Sequence, residues 1–86
     1  MESAFAWQQL FEQWPRNRSR SGIILTSSQE PISFVDFKTI PGILALERER
    51  PDSQEARKVL VAFSAITAVK FTGTAPFSEM TALGFQ

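Results

Sequence analysis

Along residues 3–14 the apolar side chains Trp7, Leu10, Phe11 and Trp14 alternate with Gln8, Gln9, Glu12 and Gln13 at spacings of three and four. That rhythm predicts a short amphipathic helix with one apolar stripe. Ser3 is the candidate N-cap and Pro15 the stop, because proline disfavours helical dihedrals at the residue before it. A helix of about three turns is marginal alone, so its two tryptophans need a larger surface on which to dock.

After the polar connector 16–21 the period becomes that of extended chain. Gly22 opens Ile23, Ile24, Leu25 and Thr26, which run into the turn-prone residues 27–31 and predict a first strand. Over 32–40, Ile32 and Phe34 share one phase while Val35 and Phe37 share the other, predicting a second strand with a bulge or sharp bend near Val35 and Asp36. Pro41 and Gly42 suit the centre of a type II turn. That turn fits a tight hairpin poorly, so a longer or kinked connection is an equal expectation. A third strand is expected over 42–50, with Leu44 and Leu46 on one face and the charged run 47–50 leading into water, and then a turn over 51–56. The fourth, 57–63, is apolar on both sides: Val59, Val61 and Phe63 point one way, Leu60 and Ala62 the other. In a chain too small for two cores, one side should meet the interior and the other the helix or another subunit. Ser64 and Ala65 interrupt before a fifth strand over 66–72. The tail 73–86 is expected to lack regular structure.

Composition narrows what such a chain does. Its 86 residues and 9.7 kDa make one domain, exposing about 5,000 Å² folded against roughly 14,000 Å² unfolded. A core that thin usually leans on a disulfide, a metal or a partner. Cysteine and histidine are absent, so neither a bridge nor an ordinary structural zinc site is expected, and self-association is the favoured support. Nine Lys plus Arg balance nine Asp plus Glu for a formal net charge of +0. Duplex DNA binding, which draws on surplus positive charge, is therefore not expected. With tyrosine also missing, the imidazole, thiolate and phenol of most acid–base and nucleophilic chemistry are gone, and no enzyme, catalytic residue, metal or cofactor is expected. No apolar run is long enough to cross a bilayer and no basic-then-apolar leader opens the chain, so a soluble, cytoplasmic protein without a membrane partner is expected.

A helix followed by five short strands, with VLVAFSAITAVKF over 59–71, resembles the Sm-like superfamily of small, strongly bent, SH3-like barrels found in RNA-associated rings. The element order matches over about 4–72, and the sequence itself only over that last segment. In this likeness Ser64 stands as the turn residue, with Ile66 and Val69 as anchors of the last strand. The resemblance implies a five-stranded barrel and a homo-oligomer, a ring or something smaller, in which strand 57–63 of one subunit pairs with strand 66–72 of the next. Val59, Leu60, Val61, Ala62, Phe63, Ile66 and Val69 would then form the interface, and the pairing would cover two sheet edges per subunit. A monomeric barrel with strand 57–63 in its middle is the alternative. The loop motifs that carry RNA in the family are missing. Asp36 is the lone carboxylate of the second strand, without the Met and Asn of the acidic, apolar, Met, Asn pattern, and Ser64 and Ala65 stand where an Arg-Gly pair would be.

Four groups of residues are candidates for chemistry. Arg16, Arg18 and Arg20 put three guanidiniums within five residues of an otherwise neutral chain. Repeated around a ring they would form a positive annulus for single-stranded RNA, and otherwise they keep a connector in water. Trp7 and Trp14 have base-stacking faces, but their shared stripe with Leu10 and Phe11 favours core packing. Glu47 and Glu49 lie on one strand face, with Arg48 and Arg50 on the other, a pattern that could be a paired-carboxylate site but is rather expected of a solvent-facing strand end with cross-strand ion pairs. Asp36, among Phe34, Val35 and Phe37, is expected to accept backbone hydrogen bonds at the bend. Three functions follow: a non-enzymatic, self-assembling Sm-like scaffold, a ring binding single-stranded RNA through the arginines, or a monomeric adaptor that docks a partner through its helix or tail.

Overall fold

The fold was obtained as a computed structural model, which describes residues 3–16, 18–50, 55, 57–72 and 76–86. The apolar stripe forms helix α1 (Ser3–Glu12). It loosens as expected: Gln13 N–H still bonds the carbonyl of Gln9, but Trp14 N–H reaches only three residues back, to Phe11 at 3.3 Å. Pro15 then ends it. Among the described residues six strands follow, β1 (Gly22–Thr26), β2 (Pro31–Phe34), β3 (Asp36–Ile40), β4 (Ile43–Glu47), β5 (Lys58–Ala62) and β6 (Ile66–Lys70). They make two antiparallel sheets of three, ordered β2-β1-β6 and β3-β4-β5. The protein is mainly β with one N-terminal helix.

The expected second strand is in fact two strands, one in each sheet. Phe34 and Phe37 are both buried although three positions apart, which a straight strand forbids because its side chains alternate sides. The chain resolves this by bending at Val35. Val35 N–H crosses to the carbonyl of Glu47 at 2.8 Å, and the Asp36 carboxylate accepts Phe37 N–H at 2.8 Å. The phase slip is thus the point where the chain passes from one sheet to the other. Pro41 and Gly42 form a tight hairpin after all: Ile40 pairs directly with Ile43, and Gly42 sits at φ 84, where a Cβ would be strained. The turn is held from both sides. Gly42 N–H donates to Gln8 Oε1 on α1 at 2.9 Å, and its carbonyl accepts Phe63 N–H at 3.0 Å.

The third strand ends at Glu47, earlier than expected, although Arg48 N–H still reaches the carbonyl of Arg57 at 2.7 Å. Apart from Glu55, the expected turn over 51–56 lies outside the described residues. A short 3₁₀ turn, Phe63–Ala65, makes the interruption between β5 and β6, and it is tied to the first hairpin by Ser27 N–H donating to the carbonyl of Ala65 at 2.7 Å. The tail differs from expectation, because Phe77–Leu83 forms a 3₁₀ helix that buries Leu83 and is closed by Gly84 in the left-handed region.

The core is an aromatic cluster wedged between the sheets. Phe11 meets Trp14, Phe34, Phe37 and Phe63 with ring centroids 4.9 to 6.1 Å apart. Trp14 adds Phe71 at 5.3 Å. Both tryptophans therefore serve packing: Trp14 is buried, and Trp7 lies partly buried against the cluster. The chain's accessible surface is 6270 Å², above the roughly 5,000 Å² expected for its mass, and Leu60, Phe77 and Phe85 are among its exposed large apolar side chains.

Replacing Phe11 with Ala should cost about 3–5 kcal/mol, most of the margin of a small domain. Phe5→Ala, on the exposed side of the same helix, should stay within about 0.5 kcal/mol. Urea unfolding followed by tryptophan fluorescence measures both.

Candidate assembly edges and the arginine connector

Strands β5 and β6 follow one another in sequence yet end different sheets. Each therefore has one side along which no strand is paired among the described residues. An exposed side of that kind presents a row of backbone donors and acceptors open to another chain. The side chains proposed from the sequence as an interface divide in two. Val61, Phe63 and Ile66 are buried in the chain's own core, and Val59 and Val69 pack against it. Only Leu60, 73% exposed, and Ala62 turn outward. What the two strands offer a neighbour is backbone plus this thin apolar strip.

Outward positions on the β3-β4-β5 sheet follow from its register. Ile40, Ile43 and Ala62 lie in one row, Lys38, Ala45 and Leu60 in the next, and Asp36, Glu47 and Lys58 in the third. Ala45 is the small member of the middle strand, flanked by two long side chains. A hollow of about 420 Å³ opens there, lined mainly by Lys38, Ala45, Leu60 and the charged row. A small residue at the centre of an outward row was the signal for it. Glu47 and Glu49 do not share a strand face in this sheet: β4 ends at Glu47, whose cross-strand neighbours are the Asp36 carboxylate on one side and the Lys58 ammonium on the other.

The arginine connector is held by the fold. Trp14 Nε1–H donates to the carbonyl of Ser19 at 3.2 Å, fixing the path of the loop. The Arg18 guanidinium lies 4.6 Å from the centre of the Phe71 ring and donates to the Glu79 carboxylate. Arg20 stacks over Phe37 at 4.7 Å and donates to its carbonyl at 3.0 Å. Cation–π contacts of this sort contribute about 0.5–1 kcal/mol at exposed sites. Arg16 is exposed. The three guanidiniums thus do not converge on one anion site: Arg18 holds the tail and Arg20 caps the core, two contacts that their spacing in sequence did not reveal.

No family model, no curated protein and no solved structure matches this chain. Among the described residues no helix is long and apolar enough to cross a membrane, and no three or more His, Cys, Asp or Glu side chains gather where they could hold a metal ion.

Arg18→Ala should loosen the C-terminal 3₁₀ helix while the two sheets persist. Amide exchange over 77–84 should speed several-fold, as expected for loss of about 1 kcal/mol from an ion pair and a cation–π contact. The β1 and β4 amides should be unchanged.

Proposed function

We propose that this chain is a non-enzymatic Sm-like module that assembles with copies of itself, the β5 edge of one copy pairing with the β6 edge of the next into a ring or smaller oligomer. The observation that carries this reading is the pair of edges with no strand paired among the described residues: joined end to end, the strands run β6-β1-β2, across the Val35 bend, to β3-β4-β5, so one molecule carries both halves of the junction. Such a heterologous contact propagates until rotation closes it. The chain's need for support points the same way, since a domain this small buries a smaller share of its surface than a larger one and has no cysteine to cross-link it.

Single-stranded RNA as a ligand of that assembly is the weaker reading. Two of the three connector arginines already stack on rings and bond within the chain. A monomeric adaptor leaves both edges bare, which natural sheets generally avoid. The proposed setting is cytoplasmic.

Light scattering across a dilution series should return a multiple of 9.7 kDa. Leu60→Asp, at an outward position 73% exposed, should shift that mass to the single chain without altering the circular dichroism, because a charge on an edge opposes strand addition. A wild-type particle that stays at single-chain mass at every concentration rejects the proposal.

A further inference from the structure

We propose that Phe77 of one copy seats in the hollow over Ala45 of its neighbour, a knob-and-hole contact flanking the strand junction. The inference rests on the edge-to-edge assembly above and names a second contact within it. Phe77 is the most exposed large apolar side chain described, at 88%, yet it begins an element that is anchored rather than loose. Leu83 of the same 3₁₀ helix is buried. Glu79, two residues on, bonds the Arg18 guanidinium, which itself lies 4.6 Å from the Phe71 ring centre. The start of the 3₁₀ helix is therefore pinned beside Phe71, immediately beyond the end of β6 at Lys70.

That position matters because β6 is one of the two free edges. Every ladder within the chain is antiparallel, and antiparallel pairing is slightly the more stable per residue. In an antiparallel junction the C-terminal end of β6 lies beside the N-terminal end of the neighbour's β5. The hollow opens at that end of β5, where Lys58 and Leu60 form its rim and Ala45 its floor. The anchored tail of one copy thus emerges next to the apolar hollow of the other. Leu60 and the alkyl stems of Lys38 and Lys58 provide the walls an aromatic ring packs against, while their ammonium heads stay in water. A single chain leaves both parts unused, with Phe77 in solvent and the hollow open.

The absence of cysteine in the chain gives a clean test on the full-length protein. Lys38→Cys with Ser78→Cys, at the rim of the hollow and beside the knob so that Phe77 and Ala45 are kept, treated with a short bis-maleimide, should give a ladder of linked species beyond dimer, because each copy supplies one knob and one hole. Either single variant should stop at dimer. A companion pair, Leu60→Cys with Ala68→Cys, probes the strand junction in the same way. A ladder from the companion alone, or linkage of the first pair's two introduced thiols only within one chain, overturns the knob-and-hole contact and leaves the assembly standing. No ladder from either pair removes both. Independently, Phe77→Ala alters an exposed side chain and spares the fold. It should raise the concentration at which the oligomer dissociates by about tenfold to a hundredfold, the effect of exposing one buried aromatic. An unchanged dissociation curve counts against the contact.

Discussion

Phe11 packs on rings from both sheets at once, Phe34 from one and Phe37 from the other, and on Phe63 from the 3₁₀ turn after β5, and the rest of the molecule is arranged around that wedge. Each sheet has three strands among the described residues and buries one face against the wedge, and so small a sheet depends on that packing for its stability. Aromatic pairs add about 0.5–1.5 kcal/mol each beyond the area they bury. Those values do not sum for rings sharing one cluster. The wedge works because α1 stops at the right point: the helix ends at Glu12, the chain turns through Trp14 into Pro15, and the Trp14 indole then fixes the connector through Ser19.

The same bend that admits the wedge creates the exposed edges. Two three-stranded sheets have four edges, and the passage of the chain from β2 to β3 at Val35 links two of them. The other two, β5 and β6, are left outward. Each carries an exposed lysine at one end, Lys58 on β5 and Lys70 on β6. Lysine on an edge discourages indiscriminate pairing.

Strand periodicity was legible where side chains alternate between core and solvent. Gly22–Thr26 appears as expected, Leu44 and Leu46 are buried together, and the change of phase between Phe34 and Val35 marks the bend. Its meaning was not legible, since a slip in period looks alike whether a strand bulges or leaves for another sheet. The hairpin at Pro41 and Gly42 was undecided for a related reason. Its tightness depends on Gln8 and Phe63, which hold the glycine from outside the turn. Likewise the tail has no helical or strand rhythm, and its anchor is an ion pair between residues 61 positions apart. Local patterns report periodicity, not contacts made across the chain.

The arginine connector shows what that limit implies for function. A cluster of guanidiniums in a neutral chain suggests an anion site, because charge is what the sequence displays. In the fold Arg18 faces Phe71 and Glu79, and Arg20 faces Phe37, so their planar heads serve as covers for aromatic rings and as a clasp for the tail. Arginine suits this better than lysine, since its flat, weakly hydrated head can stack and hydrogen-bond at once. Holding the tail beside Phe71 fixes the start of the C-terminal 3₁₀ helix close to the end of β6.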